Sequence, residues 1–406
     1  MDGGSAGMMR SVRGYPAFRL LLIGTLATNS AFWMYQVAVG WLALELTDSP
    51  AFVGLSGFVS GIPLLRLALP AGVLIDRFDG RVVLLIGQAG VMLVSAVFAV
   101  LVGIDVVSPW VLLVLVACYG SMMSFVFPSR TTMVPSLVAR SDLTNAIALN
   151  AATQNATRVL GPSLAGVLIA VIGVSGTFAV AAALQIAALV TTHRLPRLAA
   201  GRDAAGRGRM GWAGMTLGFR IVAGSPFLTA LILLALAPTV LVMPYINLMP
   251  VFARDVLDLG SAGLGLLLAG VGLGSVAGAL SVARSDRLRS WPHAQIVTVT
   301  AYALLVLVFA ITPVVALAVV VLFAAGWTSA AYFALNQTAL QLNVEDAVRG
   351  RVFSVYLMTW GMLPVGQLAV GTLTRLTGTP LAVVCACSLS LGCIALIARR
   401  TPRLAA

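Results

Sequence analysis

The chain contains no lysine, only 2 histidines and 4 cysteines, and charged residues make up just 9% of its 406 residues. Each scarcity removes a class of function. A Walker-type phosphate loop needs a lysine to reach the β- and γ-phosphates, so a nucleotide-driven pump is excluded. His193 and His293 sit near helix ends, and Cys118, Cys385, Cys387 and Cys393 all lie in apolar runs, where a thiol behaves as a small hydrophobe. Neither a metal centre nor a disulfide framework is indicated, and no cofactor and no enzyme chemistry are expected. A soluble globular chain carries roughly 25% charged residues. One that is 60% hydrophobic and 9% charged cannot hide its apolar surface in a water-soluble fold. Alternating strand-sized segments, the mark of an outer-membrane barrel, are absent as well.

Long apolar runs fill the chain instead, and at 1.5 Å per residue they can cross a roughly 30 Å hydrocarbon core as helices. Charged residues and Pro/Gly punctuation place helices near 18–46, 52–75, 82–103, 107–127, 143–172 and 175–193. A second set falls near 227–253, 260–283, 293–311, 314–341, 352–374 and 379–398. Arg10, Arg13 and Arg19 followed by an apolar run resemble a signal peptide. That run continues to about residue 46, too long for a 7–15-residue signal core, and is read as an uncleaved first helix. The expected fold is an all-α integral membrane protein with twelve transmembrane helices.

The net charge of +12 comes entirely from arginine, 25 of them against 13 acidic residues. In a soluble protein this would suggest nucleic acid; here the inside-positive loop bias accounts for it, and no nucleic-acid partner is expected. With a cytoplasmic N-terminus, 21 arginines fall on the cytoplasmic side, only Arg254 and Arg375 fall outside, and Arg66 and Arg158 lie within helices. Both termini are therefore expected in the cytoplasm, in a multi-pass protein of the bacterial cytoplasmic membrane.

The stretch Arg194 to Met210 is the only long polar segment, and its Gly, Ala and Arg content suggests a flexible linker. It divides the helices into an N-terminal six-helix half (1–193) and a C-terminal half (227–406), with a linker over 194–226. Residues Trp212 to Gly224 are expected as an amphipathic helix on the cytoplasmic face. Internal repetition near an offset of 206 residues agrees with this division. Ala71-Gly72-Val73-Leu74 matches Ala277-Gly278-Ala279-Leu280, while Gly120 and Arg130 align with Gly326 and Asn336. Two such pseudo-symmetric halves would place a substrate between them near the midplane.

Gly72-Val73-Leu74-Ile75-Asp76-Arg77-Phe78-Asp79-Gly80-Arg81 resembles the loop signature GxLaDRxGRR of the major facilitator superfamily, with one extra residue before the final Gly-Arg. Phe127-Pro128-Ser129-Arg130, Val134-Pro135-Ser136-Leu137-Val138, Asn145-Ala146-Ile147-Ala148-Leu149-Asn150 and Arg158-Val159-Leu160-Gly161-Pro162 resemble the superfamily branch of siderophore exporters and related efflux proteins. Ala347-Val348-Arg349-Gly350-Arg351-Val352 is similar to the same branch. The resemblance spans essentially the whole chain. It implies the major facilitator fold, a secondary transporter, and a cytoplasmic gate formed by Asp76, Arg77, Arg81 and Arg130. A helix-5 motif associated with antiporters is incomplete, since Thr157 stands at its first glycine position and Ala165-Gly166 at its final pair.

The candidate substrate contacts come from polar residues at mid-membrane. A lipid-facing guanidinium there costs about 2.5–3.5 kcal/mol, so Arg158 is expected to face protein or a watery cavity. Asn150, Gln154 and Arg158 follow at four-residue spacing and form one stripe, and Thr25, Asn29, Trp33, Gln36 and Gly40 form another. The alternative is interhelical hydrogen bonding that holds the bundle together. Arg66 lies about 15 Å along its helix from Asp76, and Asn336 and Gln367 are the candidate contacts of the C-terminal half. Gly161-Pro162 is expected to bend helix 5. The glycines of helix 8 include a superficial dinucleotide pattern at Gly272, but no strand precedes it and close helix packing is the reading.

No Asp or Glu lies mid-helix, which favours anionic or neutral cargo and leaves proton coupling without an obvious carrier. The expected function is efflux of a siderophore or other anionic or polar metabolite by a monomeric carrier, with protons as the candidate coupling ion. A multidrug exporter of lipophilic compounds, an organic-anion uptake carrier and a non-transporting receptor are the rival readings.

Overall fold

The computed structural model describes residues 10–196, 212–285 and 293–401, and every regular element among them is helical. The chain separates into two compact units, Met1–Leu42 with Val59–Ala204, and Ala43–Phe58 with Ala205–Ala406. The first holds α1 (Arg10–Gly14), most of α2 (Pro16–Thr47) and α3 (Pro50–Arg77), then α4 (Gly80–Gly103), α5 (Pro109–Leu137) and α6 (Leu143–His193). The second holds α7 (Trp212–Ala223), α8 (Pro226–Leu241), the single turn α9 (Met249–Val251) and α10 (Gly260–Arg284). These are followed by α11 (Ala294–Ala310), α12 (Val315–Leu342), α13 (Asp346–Gly361), α14 (Leu363–Thr377) and α15 (Thr379–Arg400).

Local chemistry sets the breaks. Asp79 caps α4 by accepting from the Arg81 amide at 2.9 Å, and Ser108 caps α5 by accepting from the Val111 amide, with Pro109 at the first helical position. The extra residue of the signature loop is thus the cap of the following helix. Gly173, at φ 73° and ψ 178°, divides α6 into two arms at the place where the sequence predicts separate helices. The predicted helix 227–253 is not continuous. Pro238, Pro244 and Pro250 each lack an amide donor, and after α8 the chain runs through a 3₁₀ turn (Met243–Ile246), α9 and a π turn (Phe252–Val256). The predicted helix 352–374 likewise divides at Met362, just before Pro364.

Among the described residues, nine segments are long and apolar enough to cross a bilayer. The 32-residue α2 falls outside that set because Thr25, Asn29 and Gln36 dilute its apolar character, and α11 falls outside because it has 17 residues. The polarity is that of a membrane protein. Large apolar side chains such as Ile86, Val114, Val171 and Leu273 are exposed, whereas Thr28, Gln88, Gln185 and Asn336 are buried.

Within the first unit, α4 packs on α5 and α6 around stacked aromatics. Tyr35 and Tyr119 lie 3.5 Å apart and nearly parallel, with Phe98 and Phe178 stacked beside them at 4.6 Å. In the second unit, α10 and α11 pack on α12, and α7 docks on α13, where Val222 joins Val352, Val355 and Tyr356 in one buried cluster. Gly218 lets α7 approach, since a Cβ there would sit 2.7 Å from the Arg351 carbonyl oxygen.

Three contacts inside the first unit are repeated inside the second. Gly120 of α5 lies against the Ser60 carbonyl of α3, and Gly326 of α12 against the Val271 carbonyl of α10, each too close to admit a Cβ. Arg130 donates to the Leu21 carbonyl of α2, and Asn336 donates to the Leu231 carbonyl of α8. Gly161 of α6 faces the Ser30 carbonyl of α2, and Gly366 of α14 faces the Val240 carbonyl of α8.

Candidate functional site

In the first unit the first arm of α6 carries Asn150, Gln154 and Arg158 on one face, and they pass from packed to open. Asn150 is buried, with its Oδ1 unpaired among the described residues, Gln154 is exposed, and Arg158 is half-buried. The Arg158 guanidinium sits 5.9 Å from the centroid of the Trp33 ring, within cation–π range. Trp33 is positioned twice over. Gly161, one turn after Arg158, lets α6 approach it, since a Cβ there would meet the Trp33 Cβ at 2.7 Å, and Phe32 meets its ring edge-on at 5.2 Å. Phe127 of α5 packs edge-on against Phe32 at 5.3 Å. Gln36, one turn further along α2, accepts from the Ser60 hydroxyl at 3.4 Å, and Asn29 is buried one turn before Trp33. Of the residues predicted on helices 1 and 5, the structure brings Arg158 and Trp33 into contact. Arg66 lies apart on α3 and is exposed. Pro162 lies within the helical arm rather than ending it, and the helix runs on to Gly173.

The predicted gate residues divide. The side chains of Asp76 and Arg77 lie outside the described residues. Arg81, at the start of α4, donates to the His193 carbonyl at the end of α6 and so ties the two helix ends together. Arg130 is buried, and among the described residues its partners are all neutral. Its Nη1 donates to the Leu21 carbonyl and the Thr25 hydroxyl, both at 3.3 Å, and its Nη2 donates to the Thr28 hydroxyl at 2.9 Å. Thr28 is the hub, because it also accepts from Gln88 Nε2 at 3.3 Å and donates to Gln185 Oε1 at 3.5 Å, using all of a hydroxyl's valences. Gln88 and Gln185 were not singled out by sequence reasoning. Each is an isolated amide in an apolar run, whereas Asn29 and Gln36 were marked by the helical spacing of a polar stripe.

In the second unit Asn336 is completely buried, donating to the Leu231 carbonyl at 3.1 Å and the Tyr332 hydroxyl at 3.2 Å, so its amide holds α12 to α8. Gln367 is buried, and a Cβ on Gly57 would lie 2.5 Å from its Oε1 and 2.6 Å from Asn247 Nδ2. Asn247 donates to the Val53 carbonyl at 3.2 Å. Arg254 bonds Asp255 at 2.6 Å, Asp48 at 2.9 Å and the Leu44 carbonyl at 3.3 Å. Together with the backbone contact of Gly54 against Gly371, these bonds explain why residues 43–58 belong to this unit rather than to the contiguous N-terminal half.

Residues 13–406 match the family described as transmembrane secretion effector. Among curated relatives, the chain is 25% identical to the staphyloferrin A transporter of Staphylococcus aureus, covering 83% of this chain and 84% of that one. It is 27% identical to the enterobactin exporter of Citrobacter koseri, covering 84% and 81%. It is 26% identical to the multidrug efflux pump Tap of Mycolicibacterium fortuitum, covering 95% of each. Among solved structures, the nucleoside transporter NupG superposes with a TM-score of 0.70 at 13% identity, over 94% of this chain and 98% of that one. A bacterial homologue of the iron transporter ferroportin superposes with a TM-score of 0.70 at 18% identity, over 94% and 98%.

Proposed function

The chain belongs to the transmembrane secretion effector family of the major facilitator superfamily, a multi-pass membrane transporter rather than an enzyme, and we propose that it exports an anionic, hydrogen-bond-rich metabolite of the siderophore kind by alternating access. The observation that carries the cargo class is the half-buried Arg158 guanidinium over Trp33. A cation at mid-span is costly unless its surroundings use it. The face of an indole holds a guanidinium plane, and the edge of a guanidinium can donate two parallel bonds to a carboxylate or catecholate. Gln154 and Gln36 supply neutral donors and acceptors nearby. The siderophore relatives support this choice.

The proposed architecture has twelve spans. The nine apolar segments support it when α2 and α11 are added and the α6 segment is counted as two arms about Gly173. The recurring contacts support two six-helix repeats, 1–193 and 227–406, joined through 194–226. Arginine placement supports cytoplasmic termini in a bacterial inner membrane. In this scheme Asp76, Arg77, Arg81 and Arg130 belong to the cytoplasmic gate, the carrier works as a monomer, and protons are the candidate coupling ion.

A multidrug pump is the second reading. The Tap relative covers nearly the full chain, and Phe32, Trp33 and Phe127 form an aromatic group suited to lipophilic ligands. Arg158→Ala and Arg158→Lys in proteoliposomes separate the two. The anion-export reading expects loss of anionic siderophore transport in the alanine variant and partial recovery in the lysine variant, with expression and thermal midpoint unchanged. Undiminished transport by Arg158→Ala would refute it.

A further inference from the structure

The first unit holds an open cavity of about 440 Å³ on its outer surface, remote in sequence from the Trp33–Arg158 pair, lined by Leu85, Leu189, Val190, His193 and Arg194. Two helix ends build it. Leu85 comes from the first turns of α4, and the others come from the last turns of α6 and the residue that caps it. The walls are aliphatic, and the surfaces leading to them are aliphatic too, since Ile86 is 65% exposed, Ile186 52% and Val190 45%. Both helices are long and apolar enough to cross a bilayer, and exposed aliphatic side chains on such helices suit contact with acyl chains.

The polar end of the cavity is cationic. His193 and Arg194 are exposed there, and Arg81 reaches the same point to bond the His193 carbonyl. That bond matters electrostatically. The C-terminal carbonyls of a helix carry partial negative charge and repel anions, and the Arg81 guanidinium offsets that of His193, a residue of the cavity wall. The nearby acid, Asp79, is already engaged with the Arg81 amide as the cap of α4. An aliphatic trough ending in guanidinium groups at the edge of the hydrocarbon core has the complement of one molecule, a phospholipid with an anionic headgroup.

We propose that this cavity binds an anionic glycerophospholipid such as phosphatidylglycerol, with an acyl chain along Leu85, Leu189 and Val190 and the headgroup phosphodiester on Arg194 beside His193. A planar guanidinium offers the phosphodiester paired donors, which an ammonium cannot match. The bound lipid bridges α4 and α6 at the end where Arg81 already ties them.

The test is native mass spectrometry and thermal unfolding of the full-length protein in detergent, titrated with phosphatidylglycerol, phosphatidylcholine or inorganic phosphate. The expected result is a retained phosphatidylglycerol adduct and a raised midpoint, with neither effect from the other two. Arg194→Gln should weaken lipid binding about tenfold through loss of the charge-assisted bonds. Leu189→Trp, which fills the trough, should abolish it, and Arg375→Gln in the other unit should leave it unchanged. Arg194→Gln alters an exposed position beyond the helix, so it keeps the test decisive if the filled variant does not fold. Equal retention of phosphatidylcholine, an equal effect of inorganic phosphate, or full lipid binding by Arg194→Gln would each overturn the proposal.

Discussion

Placing one methyl group on Gly120 or Gly326 tests whether the two units are built on the same helix-to-helix contact. In each, a glycine of one helix lies against a backbone carbonyl of its neighbour, Ser60 for Gly120 and Val271 for Gly326, and a Cβ would approach closer than the 3.0 Å that real Cβ atoms keep. The obstacle is backbone rather than the flexible end of a side chain, so the helices must part until the gap reaches the 3.4 Å of ordinary contact. Overpacking of this kind costs about 1–3 kcal/mol, which lowers the unfolding midpoint of a large domain by about 2–12 °C. Gly392 in α15 is the internal control. It too is helical, but a Cβ there meets nothing within 4 Å, and alanine should be neutral or stabilise by up to about 1 kcal/mol through reduced backbone freedom. Thermal unfolding of purified Gly120→Ala, Gly326→Ala and Gly392→Ala in one detergent reads all three. Matching losses for the first two with none for the third are expected. If Gly120→Ala or Gly326→Ala unfolds at the wild-type midpoint, the shared-contact reasoning is wrong.

Thr28→Val keeps the side-chain shape but strips the acceptor used by Arg130 and Gln88, and leaving a buried charged donor short of a partner costs about 1–3 kcal/mol or more. A lowered midpoint restored by Thr28→Ser is expected, and an unchanged Thr28→Val would show that the network is not what holds Arg130. Gly218→Val should lift α7 from α13, because its Cβ meets the Arg351 carbonyl oxygen at 2.7 Å. Faster proteolytic cleavage between residues 194 and 226 reports that release, and an unchanged cleavage rate would deny that α7 is held there.

Much of this architecture was legible because bilayer burial leaves a coarse signal. Apolar runs marked the membrane-spanning character, and Gly173 stood where two runs met; most of the predicted linker, residues 197–211, lies outside the described residues. The alignment of Arg130 with Asn336 was visible too, but not its meaning. Only the folded structure shows that both donate to a carbonyl of another helix of their own unit, Leu21 of α2 and Leu231 of α8. Bonds across long sequence separations left no local trace, as with Arg254 joining Asp48 or Gln88 reaching Thr28. The break after α8 had a visible cause in Pro238, Pro244 and Pro250, yet hydropathy continues through them, so apolar content alone drew one helix there. On α6, four-residue spacing correctly placed Asn150, Gln154 and Arg158 on one face. Their different burial depends on neighbouring helices, which periodicity does not describe.

Anion export is tested most directly in inside-out membrane vesicles carrying the protein, supplied with an imposed proton gradient and either a radiolabelled anionic siderophore or a lipophilic cationic dye. The account predicts gradient-dependent accumulation of the anion, abolished by Arg158→Ala, and little uptake of the dye. Accumulation of the dye in preference to the anion, unaffected by Arg158→Ala, would contradict it.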